Sequence, residues 1–264
     1  MLIDGHVHLH RAHPIEAALD AAVMNFRRSR AWKPGDRPPR AMLWLVETPA
    51  EAASDRLRGT EAGHWSVDER DAVTWEIHRP DGARLTLIRG RQVATGEGLE
   101  VLLVGTTEQV PGGRSLAETI EPHLKSPVLV MLPWGFGKWT GRRGRAVARA
   151  YEAYAARGLR LADIGVRPRW LPAPTLFRRS AADGRPVFAG SDPFPFRDTG
   201  DRIGSAGFVA RDLPDDSGWC EMSAALRTAG SPFERFGRPV GCLSFLSLQV
   251  RMQQRKHAGR RRAP

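Results

Sequence analysis

The run Asp4-Gly5-His6-Val7-His8-Leu9-His10 follows an apolar start, Leu2-Ile3, and sets three histidines at alternate positions. On a strand, side chains i and i+2 share a face, so His6 and His8 project together. Asp4 precedes them on that face and His10 follows. Two neutral imidazoles so spaced can grip one divalent cation, and Asp4 could orient a ring from behind. His10 is either a third ligand or lies beyond the strand end. The competing reading is a histidine-rich loop without a metal.

Two further clusters carry chemistry. Gly190-Ser191-Asp192 follows the short apolar run Pro186 to Ala189. Asp192 there could ligate the cation or, as general base, take a proton from an attacking water. Ser-Asp-Pro is also ordinary turn chemistry. The second cluster is Trp134-Gly135-Phe136-Gly137-Lys138-Trp139-Thr140-Gly141-Arg142-Arg143-Gly144-Arg145. Its glycines let backbone N–H groups approach a ligand, and Lys138, Arg142 and Arg143 could bind phosphate or carboxylate. A nucleotide P-loop is excluded, because Trp139 follows Gly-Lys where serine or threonine is required. A loop packed by its own tryptophans, with its arginines in solvent, accounts for the stretch equally well.

The elements that must position these residues alternate between strand and helix. Leu2 to His8 reads as a buried strand. Pro14 to Arg30 reads as a helix, with Ile15, Ala18, Leu19, Ala22, Val23 and Phe26 at helical spacing. A Pro-rich break at 33–40 precedes a strand over Ala41 to Val46 and a short helix over Ala50 to Arg58. Three β-prone runs follow, Val73 to Arg79, Leu85 to Arg89 and Glu100 to Val104, with Asp81-Gly82 as a hairpin turn. Leu116 to Leu124 reads as helix, Val128 to Leu132 as strand, Arg145 to Arg157 as helix, Phe208-Val209 as strand and Leu243 to Met252 as a closing helix. Repeated strand–helix units predict a parallel-stranded α/β fold, and a TIM-like barrel commonly fills such a length. The three polar clusters all fall where strands end, which is where such folds carry their chemistry.

Bulk properties narrow the classes. The 264 residues are 41% hydrophobic and 26% charged, an ordinary globular balance. Two cysteines, Cys220 and Cys242, are too few for a disulfide scaffold, and a reducing cytoplasm is the default expectation. No signal peptide is expected, and no apolar run approaches the roughly 20 residues that span a bilayer. The net charge of +11 is carried mostly by dispersed arginines, so nucleic-acid binding is disfavoured against a local pocket for an anionic small molecule. Domain boundaries are expected at 1–250 for a single barrel and 251–264 for a basic, disordered tail. His13, His64, His78, His123 and His257 fit no ligand spacing, and Trp44, Trp65 and Trp75 are expected in the core.

Asp4-Gly5-His6-Val7-His8 resembles the first-strand signature of the amidohydrolase superfamily and of the related polymerase and histidinol phosphatase (PHP) family. Arg89-Gly90-Arg91-Gln92-Val93, Gly98 to Gly105, Pro127 to Gly135 and Val187 to Asp192 resemble later PHP segments in the same order, with Arg202-Ile203-Gly204 after them. The resemblance implies a distorted β/α barrel, a metal-activated water and hydrolysis of a phosphoester or related bond. It also shows departures. Glu47-Thr48 stand where PHP enzymes carry Asp-His, Gln92 where they carry a ligand glutamate, and Glu100, Leu132 and Phe194 where they carry histidines. A trinuclear centre is therefore not expected. What remains is about one Zn, Mn or Fe per chain on His6, His8 and Asp192, with His10, Glu47 and Glu100 as further candidates. Asp192 is the candidate catalytic group, and Arg91, Gln92, Lys138, Arg142 and Arg143 are the candidates for substrate. The alternative is a barrel that has lost catalysis and binds a ligand or partner protein.

Overall fold

In the computed structural model the apolar runs become the staves of one curled sheet. It describes all residues except 30, 32–39, 169, 212, 214–217, 229, 231–232, 238–239 and 261–264, so most of the Pro-rich break lies outside the described residues. The strands are β1 (Leu2–Val7), β2 (Ala41–Glu47), β3 (Ser66–Glu69), β4 (Thr74–His78), β5 (Arg84–Ala94), β6 (Glu100–Val104), β7 (Leu129–Pro133), β8 (Arg160–Ile164), β9 (Val187–Gly190), β10 (Gly207–Val209) and β11 (Glu234–Phe236). The helices are α1 (Ile15–Arg27), α2 (Ala53–Arg58), α3 (Leu116–Ile120), α4 (Gly141–Tyr154), α5 (Thr175–Ala182), α6 (Trp219–Thr228) and α7 (Cys242–Arg260).

The sheet order is β11-β10-β1-β2-β5-β6-β7-β8-β9, with the β3–β4 hairpin attached to β5. β1, β2 and β5 are parallel, as are β7, β8 and β9. β6 runs antiparallel to both β5 and β7, so these six strands share one direction. The sheet curls until β9 meets β1: Asp192 N–H donates to His6 O at 2.9 Å, and a Cβ on Gly190 would lie 2.2 Å from His6 N. This is the distorted barrel of mostly parallel strands that the strand–helix rhythm predicts.

Ile3, Met42, Trp44, Ile88, Met131 and Phe188 belong to the cluster that fills the barrel. Trp44 stands 5.4 Å, ring to ring, from both Phe188 and Phe208. Trp219 and Met222 of α6 join that cluster. Outside, α1 buries Ile15, Ala18, Leu19, Ala22, Val23 and Phe26, the stripe expected from their spacing. A second outer layer holds Val147, Tyr151, Phe177, Phe245 and Leu248 against β7 and β8. Trp44, Trp65 and Trp75 are buried as expected.

Three boundaries are corrected. β5 continues five residues past Arg89, through Gly90, because a Cβ at Gly90 would lie 2.5 Å from Leu103 O on β6. Glycine there marks close strand approach rather than an end. α4 begins at Gly141 rather than Arg145, so Arg142 and Arg143 ride on its first turn. The segment expected as a disordered tail is helical as far as Arg260, held by Arg251, whose two terminal nitrogens contact Asp198 at 2.8 and 2.6 Å. Residues 261–264 of that tail lie outside the described residues.

Candidate metal centre

β1 does not run straight. Leu2, Ile3 and Asp4 pair with Ala41, Met42 and Leu43, but the next pair is Val7 with Leu45, three residues against two. The extra residue is a bulge, which re-aims everything after it. Leu43, Leu45 and Val7 belong to the outer cluster under α1, so Asp4 and Val7 share the outer side while His6 and His8 turn inward. Asp4 is thus not behind the imidazoles. Its Oδ1 accepts from Ser191 N–H at 2.7 Å and His6 N–H at 3.3 Å, and its Oδ2 from Gly204 N–H at 2.8 Å. It ties β1 to the ends of the β9 and 197–204 segments. Burial pushes its carboxyl up to about 7, against the pull of those hydrogen bonds.

Inside the rim, His6 Nε2 and His8 Nε2 are 3.1 Å apart. Gln92 Oε1 lies 3.3 Å from the first and 3.1 Å from the second. Asp192 Oδ1 lies 3.6 and 3.8 Å from them. Donor atoms of His6, His8 and Asp192 all fall within 4.8 Å of one another. A tetrahedral site with bonds of about 2.05 Å has edges of about 3.3 Å, so this donor set fits a single small divalent cation. The chemistry also fits, with two imidazoles, one carboxylate and one neutral amide oxygen.

Burial pushes His6 down to about 4, and Lys138 and His10 push the same way against Glu100 and Gln92. Burial and then His6 push His8 down to about 3. Both rings are therefore neutral at pH 7, the form that ligates metals. Burial raises the Asp192 carboxyl despite the opposing pull of His8 and Lys138. Asp192 has φ of +44°, the one non-glycine positive φ among the described residues. Such strain persists where the surroundings over-determine it, here the Asp192 N–H to His6 O bond across the barrel seam.

The remaining candidates divide. Glu100 at the start of β6 is ion-paired to Lys138, and both charges act on His6 and Asp192. Burial raises Glu100, but Lys138 and the two histidines outweigh it and leave the carboxyl below its ordinary value. His10 is not brought into the donor group: Nδ1 contacts Glu51 and Nε2 lies 3.1 Å from Pro193 O, although its ring stacks 5.1 Å from His8. Glu47 and Arg91 point outward from β2 and β5 and hold each other, Nη1 to Oε2, at 3.3 Å. Glu47 Oε1 also accepts from Ser54 N–H at 2.7 Å. Alternation along β5 puts Arg91 on the opposite face to Gln92, so neither Glu47 nor Arg91 reaches the histidines. Arg142 and Arg143 are exposed, with Arg143 donating to Gly137 O at 2.9 Å. Trp134 is buried, and Trp139 donates to Pro133 O at 3.1 Å and packs on Phe177. The glycine loop is thus packed by its own tryptophans and sends only Lys138 toward the site. Glu51, which holds His10, had no signal in the sequence beyond its place just after β2.

No family model matches the sequence, and no curated protein matches it. Among solved structures, PsfC from Pseudomonas syringae PB-5123 is similar over 97% of this chain and 98% of its own, with a TM-score of 0.51 at 15% identity. The lesion-specific endonuclease PfuEndoQ from Pyrococcus furiosus is matched over 89% of this chain and 58% of its own, with a TM-score of 0.47 at 14% identity. The likeness to PsfC is a likeness of fold. Among the described residues no helix is long and apolar enough to cross a membrane.

Proposed function

We propose that this chain is a divalent-metal-dependent hydrolase of PHP or amidohydrolase type, acting on an anionic small molecule such as a phosphoester. The observation that carries the reading is the convergence of His6 Nε2, His8 Nε2 and Asp192 Oδ1 at the C-terminal rim of a β/α barrel. Barrels of this kind hold their active sites at that rim. The first-strand resemblance supports the same reading.

A divalent cation bound there supplies Lewis acidity that brings the pKa of a water from ~15.7 toward ~7. His6 and His8 present neutral nitrogen lone pairs, and Asp192 supplies the negative charge. Where Asp192 does not itself ligate the cation, its part-buried carboxyl, shifted upward by desolvation, is suited to take the proton from the attacking water. Gln92 Oε1, 3.3 and 3.1 Å from the two Nε2 atoms, would complete the donor set as a neutral oxygen. Lys138, held by Glu100, offers the cation that an anionic substrate group requires.

Metal analysis of protein purified without a histidine tag tests this. About one Zn, Mn or Fe per chain is expected, falling below about a tenth in a His6→Ala/His8→Ala double variant. A folded, metal-free wild type would refute the reading. The second reading, a barrel that binds without catalysing, draws on Glu100 and Arg91 being engaged by Lys138 and Glu47. Metal-loaded protein that turns over no phosphoester, amide or lactone yet binds a ligand tightly would favour it.

A further inference from the structure

The closing helix does more than end the chain. Phe245 of α7 packs on Phe136, in the loop after β7, with ring centroids 5.0 Å apart. Arg251 lies 4.0 Å over the Phe196 ring and contacts both Asp198 oxygens, at 2.8 and 2.6 Å. Arg255 donates to Pro195 O at 2.8 Å and stands 4.0 Å from Glu51, just after β2. In the nearly closed ring β1-β2-β5-β6-β7-β8-β9, joined from β9 to β1 by the Asp192–His6 backbone bond, β2 and β7 lie on opposite sides. By these contacts α7 links the loops after β7, β9 and β2 on two sides of the rim. Ten helical residues from Phe245 to Arg255 span about 15 Å.

The two halves of α7 are held differently. Phe245 and Leu248 are buried in the outer core, whereas Arg251 and Arg255 are held by polar contacts at the surface. Arg251 and Arg255, at i and i+4, present one face to the rim. Glu51 also contacts His10, whose ring stacks on His8, so the free half of the helix rests on the same group that backs the metal pair.

We infer that α7 is a roof over the candidate metal centre, hinged on Phe245 and Leu248 and latched by Arg251 and Arg255, which restricts the centre to small molecules and excludes polymers. This rests on the metal-site reading, and it narrows the substrate class of that site. Exposed ion pairs change an equilibrium by no more than about fivefold each. The latch is therefore weak enough to open on its own and sensitive to salt.

The test loads the full chain with zinc and compares its removal by dipicolinate, a small chelator, and by apo-metallothionein, a protein chelator. Wild type should lose zinc at least about tenfold faster to dipicolinate at matched chelating strength. In an Arg251→Ala/Arg255→Ala double variant the gap should shrink by about fivefold or more, and Asp198→Asn should act in the same direction. High salt should narrow the wild-type gap and leave the double variant unchanged. Hydrogen exchange, which needs no metal, should speed up over residues 251–260 in both variants. An unchanged gap together with unchanged exchange would overturn the roof. A wild type that takes up no zinc overturns the metal reading alone, and the exchange measurement then decides whether the latch exists.

Discussion

Two histidines with the ordinary pKa of about 6.5 make metal binding steeply pH-dependent, because each must lose a proton before it can ligate. At pH 5.5 such a pair loses about 120-fold in affinity relative to its neutral form, and the slope of log Kd against pH approaches two. His6 and His8 differ because burial holds them neutral, down to about 4 and about 3. The sign is that of a lowered histidine pKa: the competent form persists as pH falls and is lost only below those values. At pH 5.5 the two rings together cost less than about a tenth of the affinity. Asp192, shifted upward by burial, adds at most one proton. Zinc affinity, measured by competition with a fluorescent chelator on metal-stripped protein, is therefore expected to change with a slope of at most about one between pH 6 and 5. Calorimetry in buffers of different ionisation enthalpy should count no more than about one proton released. A slope of two or more would mean that the rings titrate near pH 6, and the argument from burial would fail.

Gln92→Glu should tighten zinc binding by about tenfold or more, because a carboxylate replaces an amide oxygen lying 3.1–3.3 Å from both Nε2 atoms; weaker binding in a competition titration would show that position 92 is not a donor. Glu47→Ala strips the partner from buried Arg91 and the acceptor from Ser54 N–H. It should cost about 3–5 kcal/mol in urea unfolding while leaving zinc stoichiometry unchanged in the protein that remains folded, and a loss of zinc there would place Glu47 in the site. Trp44→Ala empties the middle of the barrel, where the indole meets Phe188, Phe208 and Trp219. A loss of about 3–5 kcal/mol is expected in the same assay.

Much of the frame was legible from local pattern. The α1 stripe, the Asp81-Gly82 turn and the apolar β7 run each have a period or a turn residue that local physics reads directly. The strand-end rule also picked out His6, His8 and Asp192, the last far from the first two in sequence and all within 4.8 Å in space. Other assignments needed partners that the chain does not announce. Gly90 reads as a strand end until the Leu103 carbonyl lies against it. Arg91 and Gln92 are equivalent in sequence, and only alternation within a paired β5 sends one to Glu47 and the other to the histidines.

The N-terminal motif shows the division most clearly. By itself the sequence determined that His6 and His8 share a face, because alternation along a strand is a local property of the backbone. It equally suggested that Asp4 stands behind them, and there the tertiary structure decided otherwise. The bulge between Asp4 and Val7 exists only in register with β2, and it turns Asp4 outward to tie Ser191 and Gly204. What brings Asp192 to the two rings is likewise not local. Closure of the sheet, β9 against β1 through the Asp192–His6 backbone bond, assembles the donors at the ends of these two strands on one rim.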